Sequence, residues 1–242
     1  MTEPVSRRQS LPREPLAILQ RTAAMGRTLV GVRAPGALLE RIGRFEGLEL
    51  EGGMIVAAHA NGRTAVDPGT IAAIVADVSE TPHDTVLHYV DFLDASGVSV
   101  IKVTALDGPE GFDAALAGLP RAPLPYVPPL PRTTIAVDSR DTGGLPLLAA
   151  SASCVPVTLF VRRPGAEQSW TGLIEKVTFG HSYVNVIQPA MHLHLAGGSV
   201  ATWDRAEAGE TVTFSAADKA GQSIGLAISG PRHAFAAMAE TA

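Results

Sequence analysis

Alternation with a period of two runs through much of the chain. Val86, His88, Val90 and Phe92 alternate with Leu87, Tyr89 and Asp91, and a second run covers residues 98–103. Successive side chains of a strand point to opposite faces, so both stretches predict half-buried strands. Asp94-Ala-Ser-Gly97 lies between them and has the chemistry of a hairpin turn, with glycine supplying the positive φ. Residues 211–214 and 223–228 flank Asp218-Lys-Ala-Gly221 in the same way. Residues 155–161 and 182–187 add further β-branched runs. Helical patterning is confined to residues 16–25, 37–41 and 232–241, with a short helical signature at 111–116. These elements predict an α+β protein, mainly antiparallel sheet with a few flanking helices.

The elements recur in order. Phe45-Glu-Gly-Leu-Glu-Leu50 is echoed by Ile174-Glu-Lys-Val-Thr-Phe179. The hairpin region 92–100 is echoed by 214–224, and each half closes on a helical signature. Strands resemble one another by chance because their period is shared. A common order at near-constant spacing favours a tandem pseudo-repeat instead. Between the halves, Pro120, Pro123, Pro125, Pro128, Pro129 and Pro131 crowd around Tyr126. Proline has no amide proton and a fixed φ, so this segment predicts an extended connector, with a polyproline docking site as the less common use of such a composition. The expected organisation is an N-terminal arm and helix at 1–35, repeat 1 at 36–119, a proline-rich linker at 120–150 and repeat 2 at 151–242.

Composition narrows the function classes. The 242 residues are 46% hydrophobic and 18% charged, with a net charge of -5, which supports a packed core. It argues against nucleic-acid binding by phosphate neutralisation. No apolar run approaches the ~20 residues of a transmembrane helix, and Arg7-Arg8 precedes no apolar export segment, so a cytoplasmic location is expected. The single cysteine, Cys154, excludes an internal disulfide and predicts a small core residue. Charge is unevenly shared: residues 1–39 hold six bases and two acids, 40–119 four and thirteen, and 120–242 nine of each. An anionic ligand would therefore prefer the second half or the arm.

Histidine is the residue type that carries candidate chemistry, since it binds metals and titrates near neutral pH. The seven are His59, His83, His88, His181, His192, His194 and His233. On a strand, His192 and His194 share one face while Leu193 and Leu195 turn inward. Two such imidazoles can serve a metal or a flat ligand, or simply be polar residues on an outer face. No cysteine or carboxylate stands at a spacing that would complete a zinc site. Nucleotide-binding glycine motifs and a nucleophile elbow are missing. Asp91 and Asp94 read as turn chemistry rather than as an acid–base pair.

In the second half, Val155-Pro-Val-Thr-Leu-Phe-Val161, Gly172, Tyr183-Val-Asn-Val186 and Met191-His-Leu-His-Leu195 occur in that order. They resemble the C-terminal repeat of the HemS/HmuS/ChuS family of cytoplasmic hemin-handling proteins. Glu40-Arg-Ile-Gly-Arg-Phe45 and the run from Leu87 to Gly97 resemble the first repeat. His181-Ser-Tyr-Val-Asn-Val186 partly matches the one-repeat ChuX/HutX relatives. The resemblance implies a saddle of two antiparallel sheets and heme as ligand. It carries His194 to the histidine of the family's final strand and Arg63, Arg205 and Arg232 to heme-facing and propionate positions; His192 or His194, or else His181 beside Tyr183 at the macrocycle, would serve the iron. The family's ligand helix between the repeats, with its "DVHxFF" run, has no counterpart, for no histidine lies between His88 and His181. The resemblance thus implies an intracellular heme carrier using substitute imidazoles. The alternatives are a scaffold without ligand, whose bare sheets favour a homodimer, and a heme-degrading enzyme.

Overall fold

The computed structural model describes residues 6–80, 85–128 and 134–238. His83, Pro129, Pro131 and residues 239–241 of the expected last helix lie outside them. Ten strands form one sheet: β1 (Gln9–Leu11), β2 (Arg27–Arg33), β3 (Ala37–Arg44), β7 (Ala73–Glu80), β8 (Val86–Leu93), β9 (Ser99–Ala105), β10 (Ala122–Pro123), β13 (Thr178–Gly180), β14 (Tyr183–Gln188) and β15 (Met191–Ala196). Their spatial order is β10-β1-β7-β8-β9-β2-β3-β15-β14-β13. Eight more form the second: β4 (Leu48–Glu51), β5 (Met54–His59), β6 (Gly62–Val66), β11 (Val157–Arg163), β12 (Ala166–Gly172), β16 (Thr202–Ala208), β17 (Thr211–Ala217) and β18 (Ser223–Pro231), in the order β16-β17-β18-β11-β12-β6-β5-β4. Every pairing among them is antiparallel. The α+β class with two mainly antiparallel sheets is the architecture expected from the alternation.

The repeat is visible in where elements begin. Strands β2 and β11 start at residues 27 and 157, β3 and β12 at 37 and 166, β6 and β15 at 62 and 191, and β9 and β18 at 99 and 223. The two hairpins match atom for atom. Asp94 Oδ1 accepts from the Ser96 and Val98 amides, and Asp218 Oδ1 from those of Ala220 and Gln222. Gly97 and Gly221 hold φ of 75° and 72°. Each sheet nonetheless mixes both halves, because β4–β6 join the second-half strands and β13–β15 join the first-half ones.

The sheets pack face to face at their centres, where β2 and β3 meet β11 and β12. Alternation supplies the inward residues: Val30, Val32, Leu39, Leu159, Val161 and Leu193 are all fully buried. Gln168 crosses the interface from β12, donating from Nε2 to the carbonyls of Val30 (3.0 Å) and Leu39 (2.8 Å) while Thr64 donates to its Oε1. A buried amide is tolerated there because its polar atoms find partners. Helices fill the splayed ends. Helix α1 (Pro15–Arg21), the 3-10 turn Thr22–Met25 and α2 (Pro109–Leu116) sit at one end. Helix α3 (Leu145–Ser153) and the 3-10 segment Arg232–Met238 sit at the other.

Four expectations need correction. Residues 37–41 form strand β3 rather than a helix; their good helix formers are overruled because Ala37 and Leu39 must be buried on one face between β2 and β15. Residues 145–153, expected to be connector or the start of repeat 2, form α3, with Pro146 at its tolerant first turn. The last helix is a 3-10 segment broken at Phe235, whose ring packs edge-on against Phe214 at 5.1 Å. Cys154 is exposed, because it ends α3 in the left-handed conformation and turns its side chain to solvent.

Candidate functional site

Five of the seven predicted site residues fall into two places. The first is the outer face of the ten-stranded sheet. Strand β15 buries Leu193 and Leu195, which turns His192 and His194 outward, as the alternation requires. Register then brings an unforeseen partner: Glu40 on β3 lies directly opposite His192. Its Oε2 is 3.6 Å from His192 Nδ1 and 3.4 Å from His194 Nε2. His194 Nδ1 is 2.7 Å from Asn185 Oδ1 on β14, and Tyr183 packs edge-on to His194 at 6.0 Å. Burial alone would push the Glu40 carboxyl up, but hydrogen bonds and charge from the two imidazoles outweigh it and hold the group down at about 2. The expectation that no carboxylate completes a histidine cluster is therefore corrected. The missing group is distant in sequence and adjacent across a strand pair. Beside it, Leu29, Gly31, Leu38, Glu40 and Lys102 line a cavity of about 80 Å³.

The second place is a cleft between β16–β18 and the C-terminal 3-10 segment. Its volume is about 870 Å³, within the usual range for small-molecule sites. Trp203, Val212, Phe214, Phe235 and Met238 give it an apolar lining. Arg205 and Arg232, far apart in sequence, meet here, at 2.5 and 2.6 Å from the two carboxylate oxygens of Glu207. Two guanidiniums sharing one carboxylate leave a formal charge of +1, which Glu210 at the lining balances. His233 also lines the cleft, and the sequence reading gave it no role. Its signal was available: it follows Arg232 directly and opens the last helical segment. Trp203 is fixed by its indole N–H donating to the Thr142 carbonyl at 2.8 Å. Such a site suits a large, flat, apolar ligand with acidic groups at its edge.

The remaining two residues stand apart. His181 occupies the turn between β13 and β14 with φ of 51°, followed by Ser182 at 71°, and is exposed. Arg63 lies on β6 and pairs with Glu51 (3.3 Å) and Glu167 (3.6 Å). It sits opposite Ser169 of β12, as His192 sits opposite Glu40 of β3. Arg63 is thus the repeat counterpart of His192, at the other sheet junction. Asp94 is turn chemistry as expected, and it also binds Arg163 at 2.6 Å. Asp91 lies half-buried between Lys102 and Ser99 rather than in a turn; loss of solvent pushes its carboxyl up.

No family model matches the sequence, and a search of curated proteins finds no match. Solved structures do match in fold. PhuS, a heme-binding protein from Pseudomonas aeruginosa, superposes with a TM-score of 0.73 at 19% identity, over 93% of this chain and 82% of that one. ChuS, a heme degrading enzyme of Escherichia coli O157:H7, superposes with a TM-score of 0.76 at 18% identity, over 93% and 82%. The two-repeat architecture implied by the sequence resemblance is therefore the architecture found. No helix among the described residues is long and apolar enough to cross a membrane.

Proposed function

We propose that the protein binds heme or a related tetrapyrrole and carries it inside the cell, with the cleft under the C-terminal 3-10 segment as the binding site. The observation that carries this reading is the meeting of an apolar lining, two arginines and one imidazole around a cleft of about 870 Å³. Trp203, Phe214, Phe235 and Met238 would cover the apolar ring. Arg205 and Arg232 would meet the propionates, moving from Glu207 or sharing it with them. His233 is the imidazole within the lining and would face the iron. Bound heme would supply an iron centre with its own redox and ligand chemistry; the chain's part is to enclose the ring and hold its charged edge. The likeness in fold to PhuS and ChuS supports this reading. His192 and His194 do not line this cleft; their nitrogens face Glu40 on the outer sheet face.

Hemin titration tests it. A saturable Soret shift at one equivalent, with quenching of Trp203 fluorescence, is expected. Arg205→Ala with Arg232→Ala should weaken binding roughly tenfold or more, since charge-assisted hydrogen bonds are worth about 1.5–3 kcal/mol each. His233→Ala should change the Soret position. Wild-type spectra and affinity in both the double-arginine variant and His233→Ala would overturn the assignment. Adding a reductant and oxygen separates carriage from breakdown: a persistent Soret band supports a carrier, and its loss indicates an enzyme. Self-association would use the outer edge of β16, which has no strand beside it among the described residues. A dimer that binds no hemin would favour the scaffold reading.

A further inference from the structure

A second site, on β3 and β15 of the ten-stranded sheet, does not depend on the heme reading. We propose that Glu40, His192 and His194 form a mononuclear site for a divalent first-row transition-metal ion. Two imidazoles and one carboxylate on one face, open to solvent on the remaining side, are the donor set that such ions take in three-ligand sites. One ligand atom from each lies within 4.8 Å of the others. The carboxylate oxygen is 3.4 and 3.6 Å from the two ring nitrogens. Ligands held about 2.0–2.2 Å from a common tetrahedral ion are spaced at roughly that distance from each other. The side chains are also placed correctly: their exposures of 16%, 25% and 27% keep them rigid yet reachable.

The surroundings hold the cluster in a geometry that suits an ion. Asn185 Nδ2 donates to the Tyr183 carbonyl at 3.1 Å and lies 3.4 Å from that of Gly180, which fixes the orientation of its amide. Its Oδ1 therefore accepts from His194 Nδ1. The ring's other nitrogen, Nε2, is thereby aimed at Glu40 Oε2 at 3.4 Å, so imidazole and carboxylate converge on one point. A histidine oriented through its far nitrogen by a carbonyl oxygen is the usual outer support of a metal ligand. Lys102, which lines the adjoining small cavity, is paired with Asp91 at 3.1 Å, so its charge is engaged there. The repeat supplies an internal control. At the equivalent junction the counterparts of Glu40, His192 and His194 are Ser169, Arg63 and Ala65. Joining the strands does not require the cluster, so its presence at one junction alone calls for a role other than structure.

Titrating the metal-free protein with Co²⁺ tests the proposal directly. The expected result is a visible ligand-field spectrum saturating at one equivalent and displaced by Zn²⁺. Glu40→Gln, His192→Ala and His194→Ala should each abolish it or weaken binding at least tenfold. Asn185→Ala should weaken it about 10- to 100-fold, as loss of an outer support does. Calorimetry with Zn²⁺ on the wild type needs no variant to fold. No binding at millimolar Zn²⁺ would overturn the site, as would binding that survives the His192→Ala/His194→Ala double variant. Loss of hemin binding in the cleft variants would leave this result unchanged, so the two assignments fail separately.

Discussion

His59 and Arg41 are half-buried, and each holds one nitrogen, His59 Nε2 and Arg41 Nη1, buried with no hydrogen bond among the described residues. Burial and then the Arg41 charge push the imidazole of His59 down to about 4, from an ordinary value of 6.5. The unfolded chain takes up the proton as pH falls through 6.5, and the folded chain only near 4. The associated stability is fully present above pH 6.5 and is lost as the pH falls to about 4. Melting temperatures measured across that window should therefore fall more steeply in the wild type than in His59→Asn. Equal slopes would show that His59 does not contribute. Single side chains were in general poorly legible in the sequence. The outward pairing of His192 with His194 followed from alternation, whereas the exposure of Cys154 and the role of Glu40 did not. Both depend on backbone conformation and on neighbours that are remote along the chain.

Strands β6 and β12 form the junction where the first half meets the second within the eight-stranded sheet. Gly62 opens β6 at φ +156°, and a Cβ there would lie 2.1 Å from the Ser169 carbonyl oxygen. Main chain cannot move aside cheaply, so Gly62→Ala should cost roughly 3 kcal/mol or more. A urea midpoint within experimental error of the wild type would refute this. The elements themselves were mostly legible: strands β8, β9, β14, β17 and β18 and the two hairpins are where the period-two pattern and the Asp…Gly turns put them. Two failures have one cause. Residues 37–41 and 145–153 are short and rich in alanine and leucine. For such segments local preference is weak, and the surface they are buried against decides between strand and helix.

The exchange of three strands between the halves binds the molecule into one cooperative body. Neither half alone can complete a sheet: without β13–β15 the edge of β3 is bare, and without β4–β6 that of β12. Residues 1–128 and 134–242 expressed separately should lack a cooperative unfolding transition, and mixing them should restore one. Independent two-state unfolding of either half would contradict this. The exchange also creates the histidine–carboxylate site, bringing Glu40 of the first half beside His192 and His194 of the second. The cleft, by contrast, is built within the second half, where the C-terminal 3-10 segment roofs β16–β18.

Alternation, turn residues and the repeated order determined by themselves that this chain is a duplicated, mainly antiparallel α+β protein, and placed His192 and His194 on a common face. Those features are local, arising from steric preferences and the two-residue period of a strand. Which strands become neighbours was decided only in three dimensions. Pairing β15 with β3 depends on burying both halves' apolar faces together, and Arg232 reaches Arg205 only through the β16-β17-β18 pairing; neither interaction is contained in a short stretch of sequence.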